Sequence, residues 1–397
     1  MKEKSMESKL TVGLDAHPDS FTAAIVRGDT VRESSVEKVA GPIDLPQLEK
    51  WFEKHVSRDA VVTMEASTNS FTLFERLSGL GYAVLVLDSV RVGRICRNSQ
   101  ITDKISAVRI AKVYLSGLSE SVWVPDPVTR LRREVFAAHR RAVTDCTRHN
   151  NRIKMLLNEH TIRLKKGQNL TNKVVRSHVF ACREWSDSQK IILEELFADY
   201  DRARAKRMRF EKQMSREIAG DPAMLQLTRI FGLGKINVYG VFAMIGEIHR
   251  FRNPKHLVGY FGLKPRLKQS GNSIWRGGIS RTGRRDMRAL LVQAGHVVFR
   301  YKSTSNPLYT WAWKLGFRKG RKLAVVAVAR KITVAIWYLM MGRPFTAKET
   351  SVTLCRKLKQ LAKDIGLTEL RSQGFESYRE FIVDRIGLMR DFACGNT

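Results

Sequence analysis

The period of the apolar positions changes along this chain, and the changes mark out its elements. Leu10 to Ala16 (LTVGLDA) and Ser20 to Arg27 (SFTAAIVR) are β-branched and apolar runs around Pro18-Asp19, which predicts a β-hairpin, with Thr30 to Val36 as a third strand. An amphipathic helix over about Leu45 to His55, a strand over Ala60 to Met64 that delivers Glu65, a helix over Ser70 to Leu80 and a strand over Tyr82 to Leu87 follow in alternation. A helix from Asp103 to Leu115 places Ile105, Val108, Ile110, Ala111 and Leu115 on its apolar side, and Ser121 to Val124 reads as a short strand before Pro125 and Pro127. An α/β domain over 1–126 is expected.

From Pro127 to Pro222 no proline interrupts, and apolar residues recur three and four apart, at Leu131, Val135, Ala138, Ala142, Cys146, Ile153 and Leu156. Leu196, Tyr200, Ala203, Phe210, Met214 and Ile218 repeat that spacing, and the polar stretch Lys165 to Lys173 turns the chain between the two runs. An antiparallel coiled-coil arm over 127–221 is the expectation, with its charged faces either plain solvated surface or a rail for dimerisation and nucleic acid. A mainly α-helical domain over 222–349 should follow. In it, Gly232-Leu-Gly234 forms a tight turn between two helical segments, like a helix-hairpin-helix, with Gly232, Gly234 and Lys235 offered to a phosphate. Leu323 to Met341 is apolar enough to resemble a membrane span, but Arg330 and Lys331 at its centre make it a buried helix instead. Residues 350–397 read as a helical tail of unknown role.

Lys plus Arg total 70 against 38 Asp plus Glu in 397 residues, a formal charge of +32 and a pI near 10.3, so the fold must carry broad positive surface. Nucleic acid is the natural partner; membranes rank well behind, because the charge is spread along the chain rather than set beside an apolar segment. The five cysteines are scattered, without metal spacing or a secretory leader ahead of them, which suits a reduced cytoplasm. No HxxxH-like histidine pair supports a zinc site.

The chemistry is concentrated in two kinds of residue. Ser270 precedes Gly271 in a cationic loop, with Arg266 and Lys268 upstream and Arg276, Arg281, Arg284 and Arg285 downstream. Such a loop neutralises a phosphodiester so that a hydroxyl can attack it, although Ser-Gly in a basic surface turn is by itself an ordinary turn pair. Asp15 and Glu65 end predicted strands and Asp103 opens a helix, a pattern that brings carboxylates from distant sequence to one magnesium site. The plainer reading of each is a turn former or, for Asp103 after Thr102, part of a helix start.

Five segments in order resemble the DEDD transposases of the insertion-sequence one-ten family, relatives of the pilin-gene inverting recombinases. They are VGLDAH around Asp15, TMEAS at Glu65, TDKISAVRIA around Asp103, FGLGKINVYGVFAMIGEIHRFRNPKHLVGYFGLKP, and QSGNSIWRGGISRTGRRDMRALL with Ser270-Gly271. The resemblance covers most of the chain. It implies a RuvC-like (RNase H fold) N-terminal domain in which Asp15, Glu65 and Asp103 hold Mg2+, with Mn2+ as a substitute, then a coiled-coil arm and a transposase domain whose Ser270 attacks DNA. It further implies a homo-oligomer, dimers assembling to a tetramer on donor and target DNA, guided by a structured (bridge) RNA from the element's own non-coding end. The family's fourth acid lies three residues after the third, where this chain has Ser106. Either Ser106 binds the ion through its hydroxyl or a water, or another acid such as Asp145 substitutes, or this copy is inactive. The expected function is thus a site-specific DNA recombinase with a covalent serine–DNA intermediate. The alternatives are a metal-dependent nuclease or junction resolvase in which water attacks, and a nucleic-acid-binding protein without chemistry.

Overall fold

The computed structural model describes residues 9–95, 102–165, 168–301, 306–343 and 350–395, without the side chains of 276 and 392–395. The chain forms two compact units, Met1–Asp126 and Pro127–Thr397.

The first unit is a mixed sheet crossed by helices. Strands β1 (Leu10–Ala16) and β2 (Ser20–Arg27) form the expected hairpin, and β3 (Ser35–Asp44), β4 (Val61–Glu65) and β5 (Ala83–Leu87) complete a sheet of order β3-β2-β1-β4-β5. β1 is antiparallel to β2 but parallel to β4, and β4 is parallel to β5. The first five residues of β1 are buried, which explains why its sequence is a continuous apolar run rather than an alternation. Helices α1 (Leu48–His55), α2 (Ser70–Gly79), α3 (Ser89–Ile95) and α4 (Asp103–Leu115) follow, and Phe21, Leu48, Phe52, Val62, Met64 and Leu77 lie in the core. α4 packs directly on β1 because Gly13 has no side chain: a Cβ there would lie 1.9 Å from the backbone oxygen of Ala107.

Three local expectations change. The third strand starts at Ser35, not Thr30, because Thr30 bonds Glu33 and Ser34 bonds the Val31 carbonyl, and these local bonds hold the segment in a turn. α3 was not expected; the Asp88 carboxylate accepts from the Val90 N–H at its start. Ser121 makes a single bridge to Leu87 rather than a strand.

Among the described residues, the second unit is helical apart from one hairpin. α5 (Pro127–Glu159) and α7 (Asp187–Gly220) run antiparallel, as the pairs Arg132–Glu217, His139–Glu211 and His149–Asp199 require. Their distal ends and a helix the periodicity did not reveal, α6 (Lys173–Ala181), enclose a separate small core of Ile153, Leu157, Val179, Trp185, Leu193 and Phe197. α7 begins nine residues before Leu196 with a capping box, Ser186 and Gln189 each bonding the other's backbone. Leu131, expected on the inner stripe, is 60% exposed.

α8 (Pro222–Leu227), α9 (Lys235–Ile245), α10 (Pro254–Tyr260), α11 (Arg285–Arg300), α12 (Pro307–Lys319) and α13 (Arg321–Met340) share a large core with Phe136 of α5 and Met214 and Ile218 of α7. α13 is long and apolar enough to cross a membrane by length and composition, yet Val325, Val328, Ile332 and Ile336 are buried in that core, as Arg330 and Lys331 led us to expect. α14 (Ser351–Ile365), α15 (Leu367–Ser372) and α16 (Tyr378–Gly395) are helical as expected but not a detached tail. Leu358, Leu361 and Met389 belong to the large core, and Ala362 and Phe381 cluster with Ala219 of α7. Strands β6 (Pro265–Ser270) and β7 (Ser273–Ile279) form an antiparallel hairpin, and every residue of β6 is exposed.

Candidate active site

β1 and β4 are parallel neighbours in register through Leu14 and Met64, so Asp15 and Glu65 emerge side by side at their ends. Asp103 enters from the first turn of α4, where the Thr102 hydroxyl accepts from the Ile105 N–H. His17, which the sequence reading did not single out, stands between the acids: its Nε2 is 3.5 Å from Asp103 Oδ1 and 4.0 Å from Asp15 Oδ2. Ligand atoms of Asp15, His17 and Asp103 all lie within 4.8 Å of one another. The signal for His17 was present in VGLDAH, since residues two apart point to one side of an extended chain.

Burial, more than any neighbour, pushes the Asp15 carboxyl up from its ordinary range; His17 opposes this, Asp103 adds to it, and a hydrogen bond from Ser106 lowers it. Glu65 is raised by burial and then by the negative charge of Asp15. Ser106, one turn along α4 from Asp103, therefore hydrogen-bonds Asp15. Asp145 lies on α5 in the other unit, paired with Arg148 at 3.1 Å. The donor set suits a hard divalent cation: carboxylate oxygens, partly desolvated and mutually repelling, whose charged forms a dication would favour.

Ser270 occupies the end of β6, opposite Ser273 across a Gly271-Asn272 turn in which Gly271 has φ +54°. The expected loop is thus a two-residue hairpin, because glycine supplies the left-handed residue that such turns need. Alternation puts Ser270, Lys268 and Trp275 on one face of the ribbon and Leu267, Gln269 and Ile274 on the other. Trp275 is 53% exposed, and its ring covers the position a Gly277 side chain would take. Arg266, Lys268, Arg281 and Arg285 are exposed, and no described carboxylate pairs with them, whereas Arg284 pairs with Asp286 at 2.9 Å. The side chain of Arg276 lies outside the described ones. Ser270 Oγ has no hydrogen-bond partner among the described residues, so the hairpin carries cations for a phosphate but no base for the serine.

The Gly232–Lys235 turn has internal reasons for its residues. Gly232 has φ +88°, and a Cβ there would lie 2.9 Å from the Ala294 carbonyl oxygen of α11. Gly234 caps α9 with open space around it. Lys235, expected to meet phosphate, instead places its ammonium 2.9 Å from Glu211 and 2.6 Å from Asp364. His139, Lys235 and Arg207 hold the Glu211 carboxyl down at about 2 against the cost of burial.

Comparison with known proteins finds two family models in chain order. A family model described as Transposase, of the DEDD type, matches residues 12–162, and one described as Transposase IS116/IS110/IS902 family matches 224–310. A putative transposase y4qE of Sinorhizobium fredii is 23% identical over 69% of this chain and 73% of its own length. The transposase for insertion sequence element IS1111A of Coxiella burnetii is 30% identical over 33% of this chain, and the pilin gene-inverting protein of Moraxella lacunata is 32% identical over 30%. The match spans only 36% and 37% of those two proteins. The first model takes in Asp15, Glu65 and Asp103, the second takes in Ser270, and together they span more than half of the sequence; the chain belongs to the IS116/IS110/IS902 family of transposases.

Proposed function

We propose that this protein is a site-specific DNA recombinase of a mobile element, joining strands through a covalent serine–DNA intermediate. The observation that carries the reading is the cluster of Asp15, His17 and Asp103 at the end of β1 and the start of α4, beside Glu65 at the end of the neighbouring parallel strand; burial raises Asp15 and Glu65, with Asp103 adding to the first and Asp15 to the second. Asp15, Glu65 and Asp103, with Ser106 bonded to Asp15 in the fourth position, would hold Mg2+ or Mn2+. A bound dication there would supply charge neutralisation and an activated oxygen for phosphoryl transfer.

Ser270 is the nucleophile in this reading. Its Oγ forms a bond to a DNA phosphorus while one phosphorus–deoxyribose oxygen bond breaks, the serine proton ends on the departing hydroxyl, and reversal on another strand rejoins the chain. Arg266, Lys268, Arg276, Arg281 and Arg285 neutralise the phosphate. The absence of a base beside Ser270 among the described residues means its activation must come from outside the hairpin. The N-terminal unit is read as RuvC-like, the α5–α7 pair as a coiled-coil arm, and the Gly232–Gly234 turn as a helix-hairpin-helix element that contacts the DNA backbone. A structured RNA guide, a dimer-to-tetramer assembly and a cytoplasmic, nucleoid-associated site of action complete the proposal.

Incubation with labelled DNA and Mn2+ followed by denaturation tests it. Label should remain on the protein, and Ser270→Ala should abolish it; strand cleavage that survives Ser270→Ala would instead favour a nuclease in which water attacks. No cleavage at all by the wild-type chain would leave a nucleic-acid-binding protein.

A further inference from the structure

The C-terminal unit contains a groove that none of the chemistry above uses. It measures ≈ 900 Å3, lies between α10, α12 and α13, and reaches Lys264 and Pro265 where β6 begins. Its floor is apolar and includes the half-buried rings of Trp311 and Tyr338, while its rim carries the exposed cations Lys255, Lys264, Arg330 and Lys331. No described carboxylate lies within ion-pair distance of any of the four. The Lys331 ammonium sits 4.5 Å from the centre of the Trp311 ring. Arg330, Lys331, Val334 and Tyr338 recur at three and four apart, so one face of α13 presents both charge and ring to the groove while the opposite face is core.

Beyond the contact of Lys331 with Trp311, neither half of this lining explains the other. Four unpaired cations around one cavity repel each other, and an anion would relieve them, but an anion has no use for an apolar floor. An apolar ligand has no use for four cations. A nucleotide within a single strand meets both, because its base stacks on an aromatic ring and its flanking phosphates take the cations. A duplex hides its base faces in the stack and cannot use Trp311.

We propose that this groove holds an unpaired nucleobase of a DNA strand on Trp311, with the phosphates on either side held by Lys255, Lys264, Arg330 and Lys331. The groove is continuous with the base of the hairpin that carries Ser270, and the assignment to DNA rather than RNA rests on the proposal that this hairpin acts on DNA. The ring floor selects unpaired over paired substrate without reading sequence, since every base has a stacking face.

Binding of the full chain, without divalent ions, to fluorescein-labelled oligo(dT) of about 12 nucleotides tests this, beside a duplex, an abasic oligomer and oligo(U) of equal length. Trp311→Leu should weaken oligo(dT) binding about tenfold, roughly 1.4 kcal/mol, while changing duplex and abasic binding less than about twofold. Trp311→Phe, which keeps a stacking face, should restore most of the loss. Arg330→Gln with Lys331→Gln, at exposed positions, should weaken oligo(dT) binding and flatten its salt slope by roughly one to two. Equal losses on single strand, duplex and abasic oligomer would overturn the stacking site, and a larger loss on oligo(U) than on oligo(dT) would overturn its assignment to DNA. An unchanged salt slope in the double variant would overturn the phosphate contacts. Because the readout is binding rather than strand joining, failure here leaves the covalent step of Ser270 standing. Failure to trap protein on DNA leaves the stacking result standing.

Discussion

Asp15 sits where burial, a second carboxylate and a serine hydroxyl act on one group, and this makes it a sensitive probe of the site. Its pKa and that of Glu65 are raised in the fold, so between their unfolded and folded values the native state holds more protons than the unfolded state. Their contribution to stability is therefore greatest at low pH and is lost as pH rises through the folded values. Asp15→Asn removes the buried charge, and the metal-free protein should melt higher at pH 7, by roughly 2–4 °C, with the advantage shrinking as the buffer is made acidic. Calorimetry with and without Mn2+ reads this directly. The variant should also lose the rise in melting temperature that Mn2+ gives the wild type, and an unchanged rise would remove Asp15 from the metal site. Glu211 works in the opposite sense. Its carboxyl is held at about 2, so its stabilising effect is complete above the ordinary carboxylate value and is lost as pH falls toward 2. Lys235→Gln, which strips a partner from both Glu211 and Asp364, should cost about 1–3 kcal/mol in urea unfolding at neutral pH. A loss of DNA affinity with unaltered stability would instead return Lys235 to the phosphate-binding role its place in the sequence suggests.

At the scale of elements, the chain was most legible where one period dominates. The β1–β2 hairpin, the strand delivering Glu65, the helix opening at Asp103 and the buried α13 all follow from apolar spacing and a few turn residues. What escaped was decided by single polar side chains or by distance. Thr30 and Ser34 hold a turn where β-branched residues suggested a strand, and Asp88 starts a short helix that no period announces. The ion pairs of Lys235 link it to residues 24 and 129 positions away, which no local pattern encodes. His17 stands two residues after Asp15 in the sequence, but its approach to Asp103 is made by α4, 86 residues further along the chain, which local spacing does not show either. Gly13 shows how tightly that approach is set. Gly13→Ala would force a methyl group against the Ala107 carbonyl, and a loss of about 1–3 kcal/mol or more is expected, with Mn2+ binding weakened because α4 carries both Asp103 and Ser106. Urea unfolding and Mn2+ titration of that variant, with Gly79→Ala in open space as the control, separate close packing from a general glycine effect.

For the whole molecule, the formal charge of +32 and the division into two compact units frame the remaining expectations. The acids lie in one unit and Ser270 in the other, and the second unit begins with a continuous 33-residue helix, about 50 Å at 1.5 Å per residue. We expect sites to be shared between protomers, with one chain's serine meeting another chain's acids. The apolar stripe of α5 is largely used within the chain, through Phe136, Ala142, Cys146 and Ile153, so a dimer contact on the arm would have to draw on exposed residues such as Leu131, Met155, Ile191 and Met208. Asp15→Ala and Ser270→Ala chains, each inactive alone, should regain partial strand joining when co-assembled. No recovery despite proven co-assembly would mean that each chain completes its own site. The measurement that bears most directly on the proposed chemistry is covalent trapping: end-labelled DNA carrying the element's terminus, the purified full chain and Mn2+, resolved under denaturing conditions. Label should migrate with the wild-type protein, persist through heat and detergent, disappear with protease, and be absent for Ser270→Ala and for Asp15→Ala. Cleaved DNA free of protein, in amounts unchanged by Ser270→Ala, would contradict the serine intermediate.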